Sequence, residues 1–357
     1  MAKKEKECRR VKSIPAMAAV VPFIMVNRTG SQNFIRDSFD VEKIEKYIKE
    51  KQAEGMTNMS MMHVMIASYV RLVSQRPALN RFIRGQRIWT RKHIEVSLSI
   101  KKEMALESPD TCVKAILAPD ATMKDVYEAV NREIVSYREN PGGEFDSVAG
   151  FIRHFPALFF KFFVWSMKTL DYFGLMPPLI ARASPFHCSY FITSMGSLGI
   201  PPIYHHLYDF GTCPVFFSFG TKRRTYELDM DGSVKRKHYL DFTFVLDERI
   251  CDGYYYASAL RLLKQIARDP WQLDNPPETV VEAAVREDAK LVGLSALMTT
   301  TVASMAETIR ALRRSGHDCK IMVGGAVLTE DYAAQIGADY YAKDATASVD
   351  IARQVLG

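Results

Sequence analysis

The sequence has no Cys-x-x-Cys pair. Its six cysteines, Cys8, Cys112, Cys188, Cys213, Cys251 and Cys319, are scattered, which argues against a disulfide framework or a zinc site and for reduced thiols in a cytoplasmic protein. A bilayer-spanning helix needs about 18 uninterrupted apolar residues, and no such run is present. Ala16 to Val26 is too short, and Pro15 and Pro22 are expected to make it irregular. Val148 to Ile180 is the most apolar part of the chain, but Arg153, Lys161, Lys168 and Asp171 interrupt it. The charged N-terminus has no signal-type apolar core with a cleavage site. Long blocks of one charge are also missing. Lys3-Lys4 with Arg9-Arg10, Lys222-Arg223-Arg224 and Lys235-Arg236-Lys237 are small clusters in a chain of net charge +6, read as a solvated tail and solvated turns, so nucleic acid is not an expected partner. No metal is expected either. His205 and His206 are paired without a third ligand at metal spacing, and neighbours in a strand point to opposite faces. His63 and His93 read as structural.

What is present is a globular composition, 48% hydrophobic and 25% charged over 357 residues, enough for two domains at about 150 residues each. The chain is organised around Phe242 to Ala257. Phe242, Phe244 and Leu246 alternate with Thr243, Val245 and Asp247, which predicts a strand. Cys251-Asp252-Gly253 breaks that pattern. Ala257, Leu260 and Leu263 then start a helical spacing that Leu262 and Ile266 widen. Upstream, the patterns predict helices over 40–54, with Asp40 as cap, and over 59–75, ended by Pro77. They further predict a strand over 94–100, a helix over 122–137 closed by Asn140-Pro141-Gly142-Gly143, and a short strand over 187–194. After these come a strand at Val215–Phe219 and a basic hairpin over 222–238 turning at Asp231-Gly232. The apolar stretch 148–180 reads as helices on the core or in an oligomer interface, or as an amphipathic segment making peripheral membrane contact.

The Asp252-Gly253 junction resembles the His-x-x-x-Asp-Gly signature of the chloramphenicol acetyltransferase and dihydrolipoamide acyltransferase superfamily, with Glu248 at the place of the His. Arg76-Pro77-Ala78-Leu79-Asn80, the strand after it and Lys101-Lys102 resemble a second block of that family. Thr193-Ser194-Met195-Gly196-Ser197-Leu198-Gly199 resembles its Ser-Asn-Leu-Gly turn. Over residues 20–268 the resemblance implies an α/β fold, a mixed sheet with flanking helices, assembled as homotrimers with the substrate channel between subunits. It also implies the chemistry. The residue at 248 is the general base, Asp252 holds the loop by binding a neighbouring Arg or backbone, and Thr193 or, one residue on, Ser194 steadies the oxyanion. The small-molecule acyl donor is a coenzyme A-type thioester. No lipoyl-carrying domain or Ala/Pro-rich linker stands ahead of these blocks, so a standard dehydrogenase-complex core is not expected.

From Pro276 the pattern changes to short alternating helices and strands, which implies a parallel sheet with sites at the strand C-termini. The expected order is a helix to Asp288, a strand at Leu291–Leu294, a helix from Thr299 to Arg314, and a strand at Lys320–Val323. A short helix capped by Thr329, a strand at 338–341 and a helix over 345–356 complete it. Pro276-Pro277-Glu278, Val292 to Thr301 and Val323-Gly324-Gly325-Ala326 resemble the C-terminal part of cobalamin-binding domains in corrinoid proteins. The resemblance implies a truncated doubly wound fragment in which Ser295, Thr299, Gly324 and Gly325 border the pocket for the nucleotide tail of cobalamin. The cobalt-ligating His of that family is absent, as are the first strand, first helix and second strand.

The expected organisation is therefore an acyltransferase-like domain at 1–270 and a partial cobalamin-binding-like domain at 271–357, a fusion. Two functions compete. One is an acyltransferase using Glu248 on a thioester; because a glutamate in water titrates near 4.3, desolvation would have to raise it to make a useful base for a thiol. The other is a non-catalytic trimeric scaffold or binding protein. Corrinoid association through the C-terminal fragment is a third.

Overall fold

A computed structural model describes residues 7–101, 110–139, 156–276, 280–296, 299–325 and 327–357. Lys102, the Asn140–Gly143 turn, the part of the apolar stretch before 156, Pro277-Glu278, Leu297-Met298 and Ala326 lie outside them. The chain divides into two compact units, Met1–Val11 with Ala18–Pro276 and Lys12–Met17 with Pro277–Gly357.

The first part of the larger unit runs β1 (Cys8–Arg10), α1 (Ala16–Ile24), β2 (Gln32–Asp40), α2 (Glu42–Ala53), α3 (Met61–Gln75), β3 (Arg81–Arg84), β4 (Arg87–Arg91), β5 (Ile94–Lys101), β6 (Asp110–Leu117) and α4 (Met123–Glu139). It continues with α5 (Ala157–Tyr172), α6 (Pro178–Ala183), β7 (Tyr190–Ser194), β8 (Val215–Leu228), β9 (Val234–Asp247) and α7 (Gly253–Arg268). The main sheet has the order β2-β9-β8-β7-β5-β6. It is mixed, because β7 pairs in parallel with β5 and β8 while the other neighbours are antiparallel. A second small sheet has the order β1-β4-β3.

Strand alternation decides the layers. Phe242, Phe244 and Leu246 of β9, Val215, Phe217 and Phe219 of β8, and Tyr190 and Ile192 of β7 face the helices and join one core with residues of α2, α3, α4 and α7. Val245, Phe216 and Phe191 point the other way, into a smaller cluster with Cys188, Leu207 and Cys213. The amphipathic α7 buries Tyr256, Ala259, Leu262, Leu263 and Ile266, as its 3.6-residue spacing requires.

Local chemistry departs from the sequence reading at three places. Ala16–Ile24 is helical despite Pro22, and Pro15 just ahead is preset for a helix start. Asp40 ends β2, and its Oδ1 accepts from Glu42 N–H at 2.9 Å, so it caps α2 from one residue further out than a standard cap. His205 and His206 lie in irregular chain and not in a strand. Their rings stack on each other, and His205 stacks on Phe216 with centroids 3.9 Å apart.

The second unit holds α8 (Val280–Arg286), β10 (Leu291–Ser295), α9 (Thr299–Arg314), β11 (Lys320–Gly324), α10 (Glu330–Gln335), β12 (Tyr340–Ala342) and α11 (Ala345–Leu356). Its sheet is parallel throughout, in the order β10-β11-β12, as strand-helix-strand connections dictate. Val292, Ile309, Leu312, Ile321 and Val323 form its core. This is a Rossmann-like fragment.

Candidate functional sites

In the first unit the site begins where β9 ends. Asp247 is fully buried and is gripped by Arg249, whose Nε donates to Oδ1 and Nη2 to Oδ2, each at 2.8 Å. The second guanidinium, Arg28, lies 3.4 Å from Oδ2, and burial pushes its pKa down against the pull of Asp247. Arg249 also donates through Nη1 to the carbonyls of Met25 and Val26, and Tyr256 Oη donates to the Asp247 carbonyl at 2.7 Å. The strand end is thus pinned from both sides. Glu248, between the two pinned residues, stands exposed, and its backbone N–H donates to the Ser31 carbonyl at 2.8 Å. Asp252 is the N-cap of α7, with Oδ1 accepting from Tyr255 N–H at 2.9 Å. It therefore holds backbone, and the arginine pairing falls to Asp247, which sequence reasoning passed over. The available signal was an acidic residue at the strand end with an arginine two residues later; its phase, shared with Thr243 and Val245 and opposite to Phe242, Phe244 and Leu246, did not mark it as buried.

Thr193 and Ser194 end β7. Thr193 is buried on the face away from the helices, whereas Ser194 is half-buried with the opposite phase. Thr193, Ser218 and Thr243 form one row across β7, β8 and β9. Two hydroxyls of the row hold the chain that crosses them. Ile203 N–H donates to Ser218 Oγ at 3.3 Å, and Thr243 Oγ1 donates to the Ile203 carbonyl at 2.6 Å. The turn after Ser194 lies close on β8, where a Cβ at Gly196 would come within 2.7 Å of the Gly220 carbonyl.

The register separates the two halves of the expected site. Thr193 is two strands from Thr243, about 10 Å across, and Asp247, the last residue of β9, lies four residues further along, about 13 Å, with Glu248 in the turn beyond it. The separation to the strand end is therefore about 16 Å, far beyond the roughly 3 Å at which a base and an oxyanion donor serve one carbonyl. Within one protomer the structure does not bring Thr193 or Ser194 together with Glu248.

Beside the Asp247–Arg249 pair opens a cleft of about 410 Å³, lined by Arg28, Arg84, Lys168 and Arg249 with Asp171 and Asp209. Arg84 Nε donates to Asp171 Oδ1 at 3.0 Å, and His187 Nε2 is 3.4 Å from Asp171 Oδ2. Burial alone would raise the Asp171 carboxyl, but His187 and Arg84 hold it below the usual range. Burial lowers His187 in spite of Asp171.

In the second unit Ser295 and Gly324 are the last residues of β10 and β11 and pair in register. Thr299 opens α9, so the four candidate residues gather at the carboxyl end of the parallel sheet. The protein's own packing also requires both glycines. Gly325 has φ +126°, and a Cβ there would lie 2.0 Å from the Ala296 carbonyl, while one at Gly324 would lie 2.8 Å from the Ala342 carbonyl. A histidine-ligated corrinoid does not fit these residues. The single histidine of 277–357 is His317, and its Nε2 lies 3.0 Å from the Ala289 carbonyl, ahead of β10 and at the opposite end of the strands. Among the described residues no cluster of three or more His, Cys, Asp or Glu could hold a metal ion.

Comparison with known proteins addresses this unit directly. Residues 257–350 match the B12 binding domain family. The matched segment begins inside α7, whose apolar face belongs to the first unit's core. The chain is 42% identical over 85 residues to dimethylamine corrinoid protein 1 of Methanosarcina mazei, covering 23% of this chain and 39% of that protein. It thus spans about two fifths of the length of the curated relatives it matches. Over most of the chain the structural neighbours are acyltransferase cores. A probable dihydrolipoamide acetyltransferase from Listeria monocytogenes is similar at 11% identity and TM-score 0.45, covering 73% of this chain and 94% of that one. The dihydrolipoamide acetyltransferase of Azotobacter vinelandii is similar at 10% identity and TM-score 0.47, covering 74% and 93%.

Proposed function

We propose that the first unit performs acyl transfer at a site completed between copies of the chain, assembled as a homotrimer. The observation that carries this reading is a rigidly presented, exposed Glu248 just past the end of β9 and a hydroxyl turn after β7, two strands away in the same protomer, an arrangement that is useful only if a second copy brings the turn to the carboxylate. Glu248 takes the proton from a thiol or hydroxyl acceptor. The acceptor sulfur or oxygen attacks the thioester carbonyl of an acyl-coenzyme A-type donor, and the oxyanion accepts a hydrogen bond from Thr193 or Ser194, a contribution of about 3 kcal/mol for one well-placed donor. Collapse breaks the carbon–sulfur bond, and the leaving thiolate recovers the proton from Glu248. Asp247, Arg249 and Asp252 position the loop.

The test is single-turnover deacylation of acetyl-coenzyme A with a generic thiol acceptor by the parent, Glu248→Gln and Glu248→His chains. A working base predicts a loss of about 10²-fold or more in the Gln chain. A silent parent with an active His chain would instead establish a scaffold that has given up the chemistry. That second reading draws on Glu248 itself, a weak base where the family resemblance expects a histidine. Corrinoid association of the second unit is supported by the family match at 257–350. It would proceed through the strand C-termini at Ser295 and Gly324-Gly325, without a protein histidine on cobalt.

A further inference from the structure

Helix α5 is inside-out. Its inner side buries Met167 and the charged Asp171, the latter held by Arg84 and His187. Tyr172 Oη bonds Gln86 at 2.9 Å, and the Tyr172 carbonyl lies so close to Gly85 that a Cβ there would be 2.7 Å away. The helix is therefore anchored by polar contacts. Leu158, Phe162 and Trp165, at spacings of four and three, share the outward face and are 82%, 62% and 59% exposed, as a 3.6-residue period dictates. The apolar surface continues through Phe173, Leu175 and Leu179, each 66–68% exposed.

Charge identifies the occupant. The sole acid between 157 and 183 is Asp171, and it is turned inward. The exposed charges are Lys161, Lys168 and Arg182, of which Arg182 lies 3.6 Å from Glu7. Lys161 and Lys168 make no ion pair among the described residues and flank the apolar stripe on one side. Isologous pairing with a second copy through this face would bring the lysines of both copies into one contact, and the homotrimer proposed above joins unlike faces and does not require this one. An anionic bilayer surface satisfies both features, since aromatic and aliphatic side chains enter the headgroup boundary while lysines meet lipid phosphates. A span is excluded for the same helix: 16 residues reach only about 24 Å, and no described helix is long and apolar enough to cross a membrane.

We propose that the outward face of α5 and the turn after it dock the protein peripherally on anionic membranes. This docking is independent of the acyl-transfer reading. The test is flotation of the full chain with phosphatidylcholine vesicles and with vesicles carrying about 30 mol% phosphatidylglycerol, a fraction giving a strongly negative surface. The parent should float with the anionic vesicles and much less with the neutral ones, and added salt should weaken it. Phe162→Ser/Trp165→Ser should weaken binding at least tenfold. Lys161→Glu/Lys168→Glu should abolish the preference for anionic lipid, and because both pairs are exposed their circular dichroism should match the parent. Three results overturn the proposal: a parent that floats with neither vesicle, binding that survives both double substitutions, or an oligomer that dissociates in Phe162→Ser/Trp165→Ser while no vesicle is bound, which would make the face a contact between copies.

Discussion

Asp247 and Arg249 bind each other through two 2.8 Å hydrogen bonds across a single intervening residue, and that grip is what turns Glu248 outward. Both neighbours of Glu248 are committed to the interior, so its side chain leaves the core at the end of β9. Removing one partner of a buried pair strands the other charge, a loss of about 3–5 kcal/mol. Arg249→Met should therefore destabilise the first unit by about that amount, with Arg28 at 3.4 Å offsetting part of it. Urea unfolding followed by circular dichroism measures the loss. A change below about 0.5 kcal/mol, the range of ordinary surface substitutions, would show that the pair does not organise the loop.

Gly325→Ala should damage the second unit far more than Gly232→Ala damages the hairpin. Both glycines have positive φ, +126° and +81°, but only at Gly325 would a Cβ meet backbone, 2.0 Å from the Ala296 carbonyl, whereas at Gly232 nothing lies within 4 Å. The Gly232 change should cost about 1 kcal/mol. At Gly325 strain of about 1–3 kcal/mol comes on top of a backbone clash, and thermal unfolding should show a clear fall in the transition of the second unit. Equal effects would mean that the close approach to Ala296 relaxes at little cost.

The parts of the fold that were legible in the sequence rest on local period. The alternation of Phe242, Phe244 and Leu246, its break at Cys251-Asp252-Gly253 and the spacing of Leu262, Leu263 and Ile266 each declare themselves within one element. The strand-helix alternation after Pro276 does the same. What was not legible depends on tertiary register. The distance from Thr193 to Glu248 follows from β8 standing between β7 and β9 and from the pairing of Thr193 with Ser218, neither of which local pattern encodes. The burial of Asp247 requires Arg28 to arrive from the far end of the unit. The glycine pair at 324–325 reads in sequence as room for a ligand, and only the neighbouring strands show that a Cβ there would also meet the Ala296 and Ala342 carbonyls.

His63 should make the first unit acid-sensitive in a defined window. It completes the capping box of α3, its Nδ1 accepting from Ser60 N–H at 3.2 Å, and burial lowers its pKa to about 4, with a bond to Asn131 pulling the other way. A folded value below the unfolded value of about 6.5 means that the unfolded chain takes up the proton first. Stability is then full above the unfolded value and falls as pH drops toward about 4. Between pH 8 and pH 5 this amounts to about 2 kcal/mol. Urea unfolding at the two pH values should show that decrease in the parent and a smaller one in His63→Gln, which cannot titrate. Equal slopes would place the sensitivity elsewhere.

Cys251 is the nucleophile that proximity nominates, one residue from Asp252 and three from Glu248, and its environment argues against it. Burial pushes its thiol up to about 12, with the nearby Tyr256 hydroxyl and the charge of Arg81 too weak to compensate. At pH 8 such a thiol is about 10⁻⁴ ionised, against roughly a quarter for a cysteine in water. The greater intrinsic nucleophilicity of the more basic thiolate recovers part of that deficit. Native Cys251 should therefore react with iodoacetamide about 50- to 100-fold more slowly than in urea, followed by peptide mapping. Reaction within a few-fold of the unfolded rate would restore Cys251 as a covalent acyl carrier and would shift the chemistry from direct attack by the acceptor to a two-step transfer through the enzyme.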